Sequence, residues 1–132
     1  MNILITLPKH LIEKIMSGEK KFEMRKCLPK YMKIGEDGFF VVEKGTDNVI
    51  MWCRVDAILM PATANEGFAD KYAKDLCVSP QFVKDYAPAG TTVYLWEIGK
   101  KKVFCGLKRD SLLVGRNPQQ FAYCPLSYGE SY

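Results

Sequence analysis

The feature that most constrains this chain is a change of hydrophobic period at Gly18. Before it, Leu11, Ile12, Ile15 and Met16 recur at helical spacing and make one apolar face. After it, Lys21, Phe22, Glu23, Met24 and Arg25 alternate polar with apolar, which is the period of a half-buried strand. The spacing predicts a helix over residues 8–17. Pro8 suits its first turn, and Gly18 stands where a helix-ending glycine belongs. Phe22 and Met24 are then expected to face a core, and Glu23 and Arg25 the opposite side.

Downstream, short apolar runs are punctuated by turn residues. Residues 2–6 read as a strand. Pro29, Gly35 and Gly38 lead into a strand at 39–44, and Gly45, Asp47 and Asn48 turn it into a long strand at 49–59. On that strand Val49, Met51, Cys53, Val55 and Ala57 share one face, and Pro61 ends it. Residues 65–76 and 79–86 read as two short helices inside an insert spanning 62–88, with Ser79-Pro80 as a helix start. Residues 91–98 read as a strand, 99–101 as a tight hairpin turn and 102–105 as the returning strand. From Gly106 the chain is weakly patterned and is expected to wrap the domain and add a final strand. About six strands and three helices follow. Strands joined by tight turns favour an α+β fold with a curved, mostly antiparallel sheet, and closing it into a small barrel would remove open edges.

The 132 residues suit a single domain over 1–132, since domains usually run to roughly 100–200 residues. No apolar run approaches the roughly 20 residues of a membrane span, and the N-terminus lacks the layout of a secretory leader. The expectation is a cytoplasmic protein without a membrane partner. The five cysteines lie 26, 24, 28 and 19 residues apart, so no C-x-x-C pair offers a zinc site, and reduced, mostly buried thiols are expected. No phosphate-binding glycine loop or dinucleotide motif is present, so no cofactor is expected. The net charge of +4 permits phosphate contact without requiring it.

The chemistry concentrates in the segment from Gly18 to Arg25. Lys20 stands at the corner between helix and strand, and Glu23 and Arg25 share one strand face. Arg25 suits two-pronged binding of phosphate or carboxylate. Lys20 can act as a point charge or, as a free amine, a base. Glu23 can orient Lys20 or accept from the edge of a nucleobase. The plain alternative is a solvated face, where exposed ion pairs stabilise by only about 0–1 kcal/mol. Trp52 and Arg54 on the long strand are candidates for an outward stacking platform beside a cation, against the alternative that Trp52 packs under the helical insert. Arg116 with Gln119 and Gln120 is a candidate cleft closure. The run Lys100, Lys101, Lys102, Lys108 and Arg109 reads as a basic hairpin tip. His10, the only histidine, has no cysteine or serine partner in sight.

The segment fits G-x-K-x-x-E-x-R on Gly18, Lys20, Glu23 and Arg25, and in this it resembles the signature of the ASCH family. The preceding helix resembles the family's opening. Residues 94–98 are similar to a late barrel strand, and residues 116–123 to a C-terminal R-x-P-Q-x-x-x-Y element. The similarity runs from about residue 3 to residue 124. The resemblance implies a PUA-like β-barrel, a cleft lined by the signature residues, and RNA or a nucleoside or nucleotide as ligand, with Lys20, Glu23, Arg25, Trp52, Arg54, Arg116 and Gln119 as binding candidates. Some members resemble amidohydrolases of acylated cytidine and others ribonucleases. In the amidohydrolase branch a threonine nucleophile stands where this chain has Glu23. A hydrolase here would rely on Lys20 and Glu23, with Asp75 or Glu66 as a further acid. A binding module, a small hydrolase and a protein-interaction domain with a vestigial cleft therefore stay open.

Overall fold

A computed structural model of the protein describes residues 1–59 and 64–125. Its elements run β1 (Ile3–Leu7), α1 (Lys9–Met16), β2 (Phe22–Arg25), β3 (Gly38–Glu43), β4 (Val49–Leu59), α2 (Phe68–Leu76), α3 (Pro80–Tyr86), β5 (Tyr94–Val103), a 3-10 turn (Arg109–Leu112) and β6 (Ala122–Tyr123). The strands form one curled half-barrel sheet in the order β2-β5-β4-β3-β1-β6. Only β1 and β3 run parallel; the other neighbours are antiparallel. This is the α+β, PUA-like architecture with three helices expected above. The expected end of β4 at Pro61, and part of the insert, lie outside the described residues.

Both faces of the sheet are covered, which explains its near-continuous apolar strands. The concave face holds Ile3, Ile5, Phe39, Val41, Met51, Cys53, Val55 and Trp96, closed by Ile12 and Ile15 of α1. Gly18 takes a φ of +81°, so the chain reverses out of α1 into the corner that carries Lys20. On the convex face, Leu4, Phe40, Val42 and Trp52 pack under Leu112, Val114 and Cys124 of the C-terminal wrap. A third apolar layer joins Met24 and Leu95 to Phe68, Ala73, Leu76 and Val83 of α2 and α3, with Phe22 at its margin.

Three expectations are corrected. Residues 99–101 are no hairpin turn: β5 runs straight through them and pairs β4 from Leu59↔Leu95 to Met51↔Val103. Two opposed register shifts flank Val55↔Ile98, so Gly99 marks a bulge rather than a turn. A Cβ at Gly99 would lie 2.3 Å from the Asp56 carboxylate oxygens, so a side chain there would have to push that carboxylate aside. Lys100–Lys102 are thus strand residues, and Lys101 Nζ donates to the Ile15 carbonyl at 2.9 Å, at the end of α1. Second, Val49 leaves the Met51 face. The pairing steps from Val41↔Met51 to Val42↔Val49, which loops out Ile50 and moves Val49 beside Trp52. Third, only Cys53 and Cys124 are buried, while Cys27 and Cys105 are exposed and Cys77 is intermediate; all five are free thiols. Burial pushes the Cys53 and Cys124 thiols up to about 12.

Candidate functional site

β2 is an edge strand, paired only with β5. Its register sets Glu23 opposite Trp96 and Met24 opposite Leu95. Trp96 belongs to the concave core and Leu95 to the layer under the insert. The expected sidedness holds, with Phe22 and Met24 against a core, but the opposite side is buried as well. Phe22 and Met24 face the insert, and the charged pair turns toward the mouth of the half-barrel.

There Lys20, Glu23 and Arg25 are 4%, 5% and 8% exposed, so they are no solvated face. Glu23 is the hub. Arg25 donates to its Oε2 from Nε at 2.9 Å and from Nη2 at 2.7 Å. Lys20 Nζ lies 3.2 Å from Oε1 and also donates to the Leu76 carbonyl at 3.0 Å. Arg25 Nη1 donates to the Gln120 carbonyl at 2.9 Å and reaches the Gln119 carbonyl at 3.5 Å. One guanidinium thus ties edge strand β2 to the segment just ahead of edge strand β6, across the open side of the sheet.

Burial alone would push the Glu23 carboxyl up, but the charges of Arg25 and Lys20, with their hydrogen bonds, outweigh it and hold the carboxyl below its usual range. Glu23 stays ionised, with both oxygens engaged. The donor inventory then leaves something over. An ammonium has three N–H bonds and a guanidinium five. Among the described residues, two of the Lys20 donors and four of the Arg25 donors have acceptors. Each cation keeps one N–H, and the trio carries a net single positive charge.

These three residues line a cleft of about 570 Å³. Pro8, His10 and Leu11 of the β1–α1 corner form one wall, and Leu76 to Ser79 with Phe82 and Tyr86 form another. Lys44, Gln119 and Gln120 also line it. Phe82 is 52% exposed, and its ring lies parallel to that of Tyr86, the centroids 6.4 Å apart. The Tyr86 hydroxyl is buried without a hydrogen-bond partner of good geometry. Burial pushes the pKa of this hydroxyl up, helped by Glu23, while Arg25 and an interaction with the Lys26 backbone oppose.

No family model matches the chain, and no curated protein matches it. Solved structures do. The ASCH protein of Zymomonas mobilis superposes with a TM-score of 0.72 at 17% identity, covering 92% of this chain and 86% of that one. A tyrosine-to-phenylalanine variant of the same protein gives a TM-score of 0.71 at 18% identity, covering 92% and 88%. The fold is the ASCH fold.

Of the candidates read from the sequence, the ASCH-fold cleft brings together Lys20, Glu23, Arg25 and Gln119. Trp52 is a correction. It is buried on the convex face, its indole N–H donating to Asn2 Oδ1 at 3.1 Å, so it is neither an outward platform nor a residue under the insert. Arg54 is a second: it pairs with Asp56 at 2.6 Å and lines no part of the cleft. Arg116 belongs to a neighbouring cavity, and neither Asp75 nor Glu66 lines the cleft. Sequence reasoning missed Phe82, Tyr86 and Lys44. The signal for the first two was present, since aromatics at i and i+4 of a short helix share one face.

Proposed function

We propose that this is a binding domain for RNA or a nucleotide-like ligand, taken into the cleft in single-stranded or splayed form. The observation that carries the reading is the donor inventory. Lys20 and Arg25 each hold one uncommitted N–H at the wall of a cleft, while Glu23 fixes their positions and leaves the trio with a net positive charge. Phosphate or carbonyl oxygens are the natural acceptors. Phe82 supplies an exposed ring for a base to stack on. The Tyr86 hydroxyl is a waiting partner for a base edge.

The hydrolase alternative has less support. Lys20 Nζ already engages two acceptors, the Glu23 carboxylate and the Leu76 carbonyl. Both Glu23 oxygens are already engaged by cations, and among the described residues no second acid lines the cleft.

The test is fluorescence anisotropy with a short labelled single-stranded RNA at 50 and 200 mM salt. For about two phosphate contacts the single-strand slope of about −0.7 per contact gives a roughly sevenfold loss of affinity over that range. Binding that ignores salt refutes the phosphate role. Turnover of acylated cytidine or RNA that is lost in Lys20→Ala would establish the hydrolase instead.

A further inference from the structure

The cleft is not the only cavity that Gln119 lines. A second, of about 690 Å³, runs along the C-terminal wrap and is lined by Arg116, Asn117, Pro118, Gln119, Phe121 and Tyr123 among others. The two cavities share Gln119 as a lining residue.

The wall between them is fixed at several points. Thr6 Oγ1 donates to the Pro118 carbonyl at 2.8 Å. Asn117 Nδ2 donates to the Thr46 carbonyl at 2.8 Å and its Oδ1 accepts from Arg109 Nη1 at 2.8 Å. Arg25 holds the next two carbonyls. On this pinned backbone the exposed Arg116 side chain has no hydrogen-bond or ion-pair partner among the described residues. A guanidinium left unpaired on an anchored segment is presented to an anion and loses little freedom from the backbone when it binds one.

Beyond Arg116 the wall becomes aromatic. Phe121 and Tyr123 meet edge to face at 5.3 Å, and Tyr123 meets Tyr31 at 5.4 Å. Tyr31 is 64% exposed, its backbone N–H bonded to the Tyr123 hydroxyl, between exposed Lys30 and Lys33. Arg116 lines the cavity, and just past its Tyr123 edge the exposed Tyr31 ring stands between two lysines; a single strand needs cations for phosphates and rings for bases.

We infer that the ligand is an oligonucleotide: single-stranded RNA enters the cleft with one nucleotide and continues past Gln119 into the second cavity, with Arg116 on the next phosphate and Tyr31 stacking a following base. This rests on the reading of the first cleft and extends it from a single nucleotide to a strand.

The experiment is a length series, uridine monophosphate and single-stranded uridine oligomers of increasing length, measured by titration calorimetry at fixed low salt on the wild type, Arg116→Ala, Tyr31→Ala and Phe82→Ala. All three altered side chains are exposed, so the fold is retained. The inference expects affinity to rise at least tenfold from the monophosphate to a trimer. It expects Arg116→Ala and Tyr31→Ala to remove most of that gain while leaving monophosphate binding as it was. Repeated at 50 and 200 mM salt, the trimer titrations should give a salt slope smaller by about 0.7 in Arg116→Ala, the value of one single-strand phosphate contact. Monophosphate and trimer binding alike, or an Arg116→Ala effect equal on both, overturns the strand and leaves the cleft standing. Length-dependent binding that Phe82→Ala does not touch overturns the cleft and leaves the track. Binding of neither overturns both. Displacement of the trimer by polyglutamate at equal charge would assign the surface to an acidic protein and overturn the inference.

Discussion

Replacing Glu23 by Gln tests the buried trio at its hub. The side chain keeps its size but loses its charge, and one of its two oxygens becomes an NH2 donor. That donor must face either Lys20 Nζ, now 3.2 Å from Oε1, or Arg25, whose Nε and Nη2 both use Oε2. One cation is left without its acceptor at a site only 5% exposed. Removing one partner of a buried ion pair costs about 3–5 kcal/mol, a large part of the roughly 5–15 kcal/mol that holds an ordinary domain. With a urea slope of about 2 kcal/mol per molar, the denaturation midpoint falls by about 1.5 M or more. The pH dependence adds a second readout. The folded-state carboxyl sits below its ordinary 4.5 because Arg25 and Lys20 prevail over burial. Its contribution is fully present above the unfolded value and is lost as pH falls through the folded one. Urea melts of wild type and Glu23→Gln, followed by circular dichroism, should therefore differ by a constant amount from pH 7 down to about 5, begin to converge near 4.5, and meet only beneath the lower folded-state value. A midpoint change under about 0.3 M, or a difference that does not narrow in acid, would refute the buried, ionised hub.

Other variants separate stability from binding. Tyr86→Phe removes a buried hydroxyl with no good partner, so urea melts should show unchanged or increased stability, by up to about 1 kcal/mol, while RNA affinity falls if the hydroxyl reads a base. Phe82→Ala, at a half-exposed ring, should leave the melt within about 0.5 kcal/mol of wild type and weaken RNA binding by about 1–3 kcal/mol, the worth of one stacked base. Gly99→Ala should push Asp56 off Arg54; because that pair is partly exposed, the melt should move by no more than about 1 kcal/mol.

The period change at Gly18 located the helix, the corner and the edge strand, because helical and strand periods are local properties of the chain. What covers the second face of each strand was not legible. Alternation separates Glu23 from Met24 and Trp52 from Met51, but here both sheet faces are covered, so the face opposite a core is another core. That is why Trp52 is interior and Glu23 lies beside the concave side. Gly99 misled for a related reason. A glycine between strand-like runs signals a turn unless a long partner lies opposite, and the eleven residues of β4 supply one from across the insert. The Phe82 and Tyr86 wall depends on where α3 docks, which no local pattern encodes.

The chain's two tryptophans offer the most direct measurement. Trp96 lies opposite Glu23 with a buried, unpartnered indole N–H, while Trp52 sits on the far face, bonded to Asn2. Titrating short single-stranded RNA into 15N-labelled protein should shift the Trp96 indole signal and the Arg25 Nε–H signal and leave the Trp52 indole signal in place. A Trp52 shift without the other two, or no shift of any at millimolar RNA, would contradict a ligand site built on Lys20, Glu23 and Arg25.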